Sequence, residues 1–311
     1  MKIAIIGRTE ILYDTAVLLA EKGHEIKLII TAKEAPEYTR TADDFKELAG
    51  RLGAAYLYSA KISAPENIEF IKNCGSIDIA VSVNYSSVIS SDVTSLFLLG
   101  IFNAHGGDLP RYRGNACQAW AIINGEEKIG LCIHKMKGGE LDSGDIIEKK
   151  YMPLDINTRV GECYSWMTEE IPGMFLAAVK KLEADKNCIM EKQSTRPEDA
   201  LRCYPRCPDD GRINWKKSNI EVLRLINASS EPYVGAFCEY VGKTIRIWRA
   251  KLFEDDEKYC AICGQIASID KTSGAMIVIC GNGKLQIDEV EFDGERGKPA
   301  GFIKSVRERL K

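Results

Sequence analysis

Lys2-Ile3-Ala4-Ile5-Ile6-Gly7 is a short apolar run ending in glycine, and a helical pattern follows it through Leu12, Val17, Leu18 and Leu19 before stopping at Lys22-Gly23. Residues 25–30 then read as a second strand. Both strands are apolar almost without a break, as strands are when helices cover both faces of their sheet. The opening is therefore a βαβ unit. The alternation repeats outward from it: a helix at 43–52, a strand at 56–58, a helix at 65–73, a strand at 77–83, a helix at 90–98 and a strand at 100–104. This order predicts an α/β fold on a doubly wound, mostly parallel, Rossmann-like sheet. The turn after the first strand, Gly7-Arg8-Thr9-Glu10, lacks the second and third glycines of a dinucleotide fingerprint, which argues against a bound nicotinamide cofactor.

Beyond Asp145 the pattern changes. A strand at 146–151 leads to a long helix at 160–184, with Met167, Ile171, Met174, Phe175, Ala178 and Val179 at near-helical spacing. The Ile171-Pro172-Gly173 step is expected to bend or interrupt it. Residues 191–210 hold three prolines, several charges and no apolar periodicity, the composition of a linker. One helix at 218–227 is then followed by short strands at 236–240, 244–251, 264–269, 275–280 and 284–292. These predict a smaller β-rich, barrel-like C-terminal domain. The expected division is a larger domain at 1–190, a linker at 191–210 and the β-rich domain at 211–311.

The chain has 311 residues, 45% hydrophobic and 28% charged, enough to bury two real cores and to exclude long disorder. A net charge of −3 disfavours a polyanionic partner. No apolar run reaches the roughly 18 residues of a spanning helix. The first eight residues enter a strand directly, so a cytoplasmic protein without a leader is expected. Eleven cysteines, an odd number spread along the chain, read as reduced thiols. The Cys260/Cys263 pair and the Cys203/Cys207 spacing look like halves of a zinc site. They lie far apart with no histidine near either, and no metal is expected.

Of the chain's three histidines, His105 and His134 both fall within residues 100–147, the stretch densest in glycine, asparagine and aspartate. His105 sits at the end of a predicted parallel strand, where open α/β sheets place ligands. Asn103, two residues earlier, projects to the same face while strand geometry lasts. A carboxylate comes from the turn Glu140-Leu141-Asp142-Ser143-Gly144-Asp145. Such a trio suits acyl transfer: the amide polarises a carbonyl, the imidazole stabilises an oxyanion and moves protons, and the carboxylate orients the imidazole or a water. Each residue also has an ordinary reading, as a structural strand-end histidine, a turn-forming asparagine and a turn aspartate.

Asn103-Ala104-His105-Gly106-Gly107-Asp108-Leu109-Pro110-Arg111-Tyr112-Arg113-Gly114, with Leu141-Asp142-Ser143-Gly144-Asp145-Ile146 further on, resembles the signature of folate-dependent formyltransferases. That family includes methionyl-tRNA formyltransferase, glycinamide ribonucleotide formyltransferase and the sugar-nucleotide N-formyltransferases. Asp209-Asp210-Gly211-Arg212-Ile213-Asn214-Trp215, Pro232-Tyr233-Val234-Gly235-Ala236-Phe237 and Ile247-Trp248-Arg249-Ala250 look like the start of its second domain. The resemblance implies N10-formyltetrahydrofolate as co-substrate. It implies that Asn103 holds the formyl oxygen, that His105 stabilises the tetrahedral intermediate and shuttles protons, and that Asp142, first in Asp-x-Gly, assists. Asp145 is the neighbouring acid most easily confused with it. The pterin is expected against Tyr85, Ser86, Ser87 and Val88 and against the backbone before Asp142, at Leu141. The sequence departs from the family pattern at Gly107-Asp108, where Ser-Leu is usual; Asp108 either contacts the acceptor amine or faces solvent.

Two acceptors are consistent with this resemblance. A tRNA needs a basic surface, and the tRNA-specific members carry a basic loop after the second strand. Here residues 31–44 hold two basic residues, Lys33 and Arg40, against Glu34, Glu37, Asp43 and Asp44. The Pro232–Phe237 stretch and the Asp-Asp-Gly before Trp215 look closer to the sugar-nucleotide branch. The expected acceptor is therefore an amino-sugar nucleotide, with tRNA the alternative. Asp108, Arg111, Arg113 and Tyr233 are the candidate contacts to it, the arginines for its diphosphate. An inactive folate- or sugar-nucleotide-binding module is a further alternative, opposed by the retention of Asn103, His105 and Asp142. Exposed β-edges would permit a homodimer.

Overall fold

A computed structural model describes residues 1–36 and 38–311 of the chain. The first half alternates as its apolar pattern requires: β1 (Lys2–Gly7), α1 (Glu10–Glu21), β2 (Glu25–Thr31), α2 (Ala42–Leu52), β3 (Ala55–Tyr58), α3 (Pro65–Asn73), β4 (Ile79–Val83), α4 (Ser91–Thr94) and β5 (Ile101–His105). Next come β6 (Arg113–Gly114), α5 (Cys117–Asn124), β7 (Lys128–Lys135), β8 (Ile146–Pro153), α6 (Val160–Ala184) and β9 (Arg202–Cys203). Then follow α7 (Asn219–Ser229), β10 (Ala236–Tyr240), β11 (Lys243–Phe253), β12 (Ile266–Ile269), β13 (Met276–Ile279), β14 (Lys284–Phe292), β15 (Glu295–Gly297) and α8 (Pro299–Phe302).

By contact the chain forms two compact units. The first comprises Met1–Gly114, Ile129–Met152 and Ser165–Cys203, and the second Asn115–Lys128, Pro153–Tyr164 and Tyr204–Lys311.

In the first unit one sheet runs β3-β2-β1-β4-β5-β7-β8. β3, β2, β1, β4 and β5 are parallel, and β7 runs antiparallel to β5. Side chains alternate across this sheet. Ile3, Ile5, Ile29 and Val81 join one core with Leu12, Phe45 and Phe175, while Ala4, Ile6, Leu28 and Ile30 join another with Ile71 and Val93. The two-sided burial read from the near-continuous apolar strands is therefore present. Strand order reverses between β1 and β4, leaving a crevice at the carboxyl ends of the strands. Gly7 closes β1 there at φ +151°, and a Cβ on it would meet the Val83 carbonyl oxygen at 2.0 Å, so glycine is required.

Two local expectations need correction. The helix expected at 90–98 is a single turn, α4. Of the bend or interruption expected at Pro172, the interruption is absent: α6 is continuous across it. Ile171, Met174, Phe175, Ala178 and Val179 are all buried around that step, and their packing outweighs the one backbone hydrogen bond that proline forgoes.

The second unit carries the antiparallel sheet β10-β11-β14-β13-β12, with β15 on β14. Its edges do not stay open. Leu310 bridges to Tyr240 on β10, and Arg309 bridges to Gln265 beside β12. Backbone bonds from Glu239 to Lys311 and from Leu310 to Gly264 complete the tie, so the tail closes the sheet into a barrel. Ile245, Ile247, Met276, Val278, Leu285 and Ile287 fill it. α5 lies against α7 in this unit, where Gly125 leaves room for the Arg224 guanidinium. Among the described residues no helix is long and apolar enough to cross a membrane.

Candidate active site

β5 carries Asn103 and His105 to the carboxyl end of the first unit's parallel strands, and β7 is registered against it so that Asn103 opposes His134 and His105 opposes Cys132. Asp142 comes from the turn between β7 and β8 and takes a left-handed conformation, φ +48°, which aspartate tolerates better than most residues. Gly144 pins that turn to β7, since a Cβ there would fall 1.5 Å from the Lys135 carbonyl oxygen. The spacing of Asp-x-Gly is thus a packing requirement of the turn that delivers the acid.

The side chains converge on Asp142. Its Oδ2 lies 3.5 Å from His105 Nδ1 and accepts a 2.9 Å hydrogen bond from the Gly114 N–H. Its Oδ1 lies 3.4 Å from His134 Nε2, which is also 3.4 Å from Asn103 Nδ2. His105 Nε2 donates to the Tyr112 carbonyl oxygen at 2.6 Å. That bond puts a proton on Nε2, so Nδ1, facing Asp142, is the nitrogen whose protonation can change. Burial holds the His105 imidazole below its ordinary 6.5, against the opposing pull of Asp142. Burial also pushes the Asp142 carboxyl up, but His105, His134 and the Gly114 N–H together bring it down to about 2. The resting site therefore pairs an ionised carboxylate with an uncharged His105.

A further shell fixes Asp142 from the backbone side. Gln193 Nε2 donates to the carbonyl oxygens of Asp142 and Gly144 at 2.8 and 2.7 Å, and its Oε1 accepts from Arg113 at 3.2 and 2.7 Å. Arg113, a candidate for a diphosphate, thus lies beside Gln193 and helps to hold the acid's turn.

The remaining candidates lie apart from that cluster. Tyr85 is half-buried, its hydroxyl donating to the Ser59 carbonyl and accepting from the Ile62 N–H. Ser86, Ser87 and Val88 are exposed, Val88 at 59%, and Leu141 is half-buried. The loops bearing these residues abut: the Gly139 N–H donates to the Ile89 carbonyl at 2.9 Å, and Gly138 packs against Ser91. Asp108 turns to β8, 2.9 Å from the Tyr151 hydroxyl and 3.7 Å from Lys149 Nζ. A cavity of about 630 Å³ opens there, lined by Asp108, Pro110, Arg111, Ser194, Glu198 and Asp199 among others. Tyr233 belongs to the second unit, its hydroxyl 2.8 Å from that of Tyr164. In the loop after β2, Arg40 stacks on Tyr13 at 4.3 Å and lies 3.6 Å from Asp44; Glu37 lies outside the described residues.

Two participants had no role in the sequence reading. His134 was visible only as a second histidine in the same stretch; the signal that would have found it is the apolar run Ile129-Gly130-Leu131-Cys132-Ile133, which leads into a histidine. Gln193 gave no signal, lying in a polar, proline-bearing stretch.

A family described as Formyl transferase matches residues 1–179, and its C-terminal domain matches residues 207–307. A methionyl-tRNA formyltransferase of Agathobacter rectalis is 28% identical over 304 residues, covering 97% of this chain and 95% of that protein. The structure of an N-formyltransferase from Helicobacter canadensis, in complex with folinic acid and dTDP-3-aminofucose, superposes with a TM-score of 0.68 at 16% identity, covering 92% of this chain and 98% of that one. HypX from Aquifex aeolicus gives 0.62 at 18% identity over 97% of this chain, which spans only 46% of HypX. At such identities the two structures speak to the fold.

Proposed function

The chain belongs to the formyl transferase family, and we propose that it transfers a formyl group from N10-formyltetrahydrofolate to the amine of a nucleotide-linked amino sugar through Asn103, His105 and Asp142. The observation that carries this reading is the convergence of one amide, two imidazoles and an ionised, mostly buried carboxylate within 3.5 Å contacts at a parallel-strand end. The folate fits the abutting loops beside it, which offer the exposed apolar Val88, half-buried Leu141 and nearby backbone groups for a flat, polar-edged ring.

When bound, the formylfolate supplies an activated formyl carbon. Asn103 donates an amide N–H to the formyl oxygen as negative charge develops there. As the amine nitrogen bonds to the formyl carbon, His105, uncharged at rest, takes its proton at Nδ1 while Nε2 stays bonded to Tyr112, and returns that proton to the leaving folate nitrogen as the bond between that nitrogen and the formyl carbon breaks. Asp142 stabilises the imidazolium so formed, and the Gly114 N–H and Gln193 keep its turn in place.

The acceptor assignment rests on charge. The loop after β2 is acidic on balance, and one of its two basic residues, Arg40, is already engaged with Tyr13 and Asp44. A tRNA phosphate backbone needs the opposite. Methionyl-tRNA is the second reading, favoured by the names of relatives that match nearly the whole chain. A formyl-transfer assay with N10-formyltetrahydrofolate against a panel of amino-sugar nucleotides and charged methionyl-tRNA separates them. Turnover with a sugar nucleotide and none with tRNA is expected; turnover with tRNA alone overturns the acceptor assignment.

A further inference from the structure

We propose that His134 is a positioning residue that sets the orientation of the Asn103 amide, an inference that rests on the formyl-transfer reading above. His134 stands directly across the sheet from Asn103, with its side chain only 1% exposed. Its Nδ1 is buried and, among the described residues, has no hydrogen-bond partner. Its Nε2 has two neighbours, Asp142 Oδ1 and Asn103 Nδ2, each at 3.4 Å.

A proton on Nδ1 would be a buried donor with no acceptor, which folded proteins rarely contain, so Nδ1 is the bare nitrogen. On Nε2 a proton faces the ionised carboxylate of Asp142. The proton therefore belongs on Nε2, and this decides what Asn103 can present. An amide NH2 group facing an N–H is a donor meeting a donor. A half-turn about the last torsion of the asparagine exchanges the amide nitrogen and oxygen at almost no steric cost. In the consistent arrangement, Asn103 Oδ1 lies on the His134 N–H and the Asn103 NH2 group points away from β7. One N–H shared between Oδ1 of Asp142 and Oδ1 of Asn103 also accounts for two contacts that are both longer than an ordinary hydrogen bond.

The consequence for the reaction is direct. Asn103 can stabilise a formyl oxygen only with its NH2 group, and His134 is what keeps that group turned to the donor side. Without it the amide can rotate and present its oxygen, a second acceptor, to a developing negative charge.

Two measurements test this. In ligand-free, full-length protein with labelled histidine, nitrogen NMR should find the His134 ring with its proton on Nε2; a proton on Nδ1, or on both nitrogens at neutral pH, overturns the proposal. In kinetics, His134→Leu should lower kcat on the order of 10- to 100-fold, less than the loss of an oxyanion donor outright, with the KM for formylfolate unchanged. His134→Gln, whose amide N–H reaches the position of Nε2, should recover most of that loss. In an Asn103→Ala background, His134→Leu should cost nothing further. An equal loss in both backgrounds means that His134 does not act through Asn103, and the proposal fails. Should the leucine variant not fold, the glutamine variant and the ring tautomer still decide. The tautomer is read without turnover, so it stands apart from the formyl-transfer reading, which fails if the wild-type chain consumes no formylfolate.

Discussion

Among the described residues, Lys284 in the second unit and Asp142 in the first are little-exposed charged side chains, and the two are treated differently. Lys284, at the start of β14, is 3% exposed and fully engaged: Asp255 lies at 2.6 Å, Glu257 also accepts from it, and the Tyr259 ring sits 4.6 Å from its ammonium. The hydrogen bonds to Asp255 and Glu257 raise its pKa, so nothing near neutrality changes its charge. Asp142 is nearly as enclosed, yet its imidazole contacts stay at 3.4 and 3.5 Å. One His105 nitrogen still has a proton state to choose, and among the described residues one His134 nitrogen has no partner. A saturated network around a buried charge fixes structure. A network with long contacts and an unfilled valence can tighten when charge develops elsewhere, as catalytic groups do on binding substrate.

If that contrast is functional, the two clusters should fail in different ways when altered. Asp142→Asn keeps the shape and removes the charge, and turnover should fall on the order of 100-fold or more. The same variant should move the acid limb of kcat/KM, which the burial of His105 already sets below pH 6.5, further down, because Asp142 is the larger of the two influences that raise the His105 pKa, ahead of the Tyr112 carbonyl. An unmoved limb would separate the two residues. Asp142 is also a depressed carboxylate, so its contribution to stability is present above its ordinary 3.8 and is lost as pH falls from there towards about 2. Acid unfolding of the asparagine variant should lack that step.

Arg111→Ala should act next most strongly, raising the acceptor KM roughly tenfold at unchanged kcat if this arginine meets a diphosphate, since a charged hydrogen bond is worth about 1.5–3 kcal/mol. Lys284→Met should lower Tm in a thermal melt and leave kcat of the folded enzyme alone; a loss of turnover matching that of Asp142→Asn would erase the distinction between the clusters. Smallest is Asp108→Asn. Its contacts to Tyr151 and Lys149 are half-exposed, so the acceptor KM should stay within about twofold.

What was legible in the sequence follows physical lines. The parallel sheet announced itself because strands covered on both faces are apolar throughout, as in β1 and β2. Asn103, His105 and Asp142 were candidates because a strand end and a polar turn mark themselves with polar residues and glycine, but each also had an ordinary reading, and their roles came from the resemblance to the formyltransferase signature. His134 was not among them, because its place opposite Asn103 depends on the register of an antiparallel pair, and no local pattern specifies register. The continuity of α6 through Pro172 is decided by tertiary packing against a local penalty. The closure of the barrel by residues 309–311 and the bonds of Gln193 to the turn of Asp142 are long-range contacts made by chain whose composition reads as linker or tail.

On the proposed mechanism His105 performs the proton transfer in a site that binds folate independently of it. His105→Ala should be assayed with N10-formyltetrahydrofolate and the preferred acceptor, and its folate affinity measured in parallel by titration. Turnover should fall on the order of 100-fold or more with folate affinity essentially kept; unchanged turnover would rule out His105 as the proton carrier.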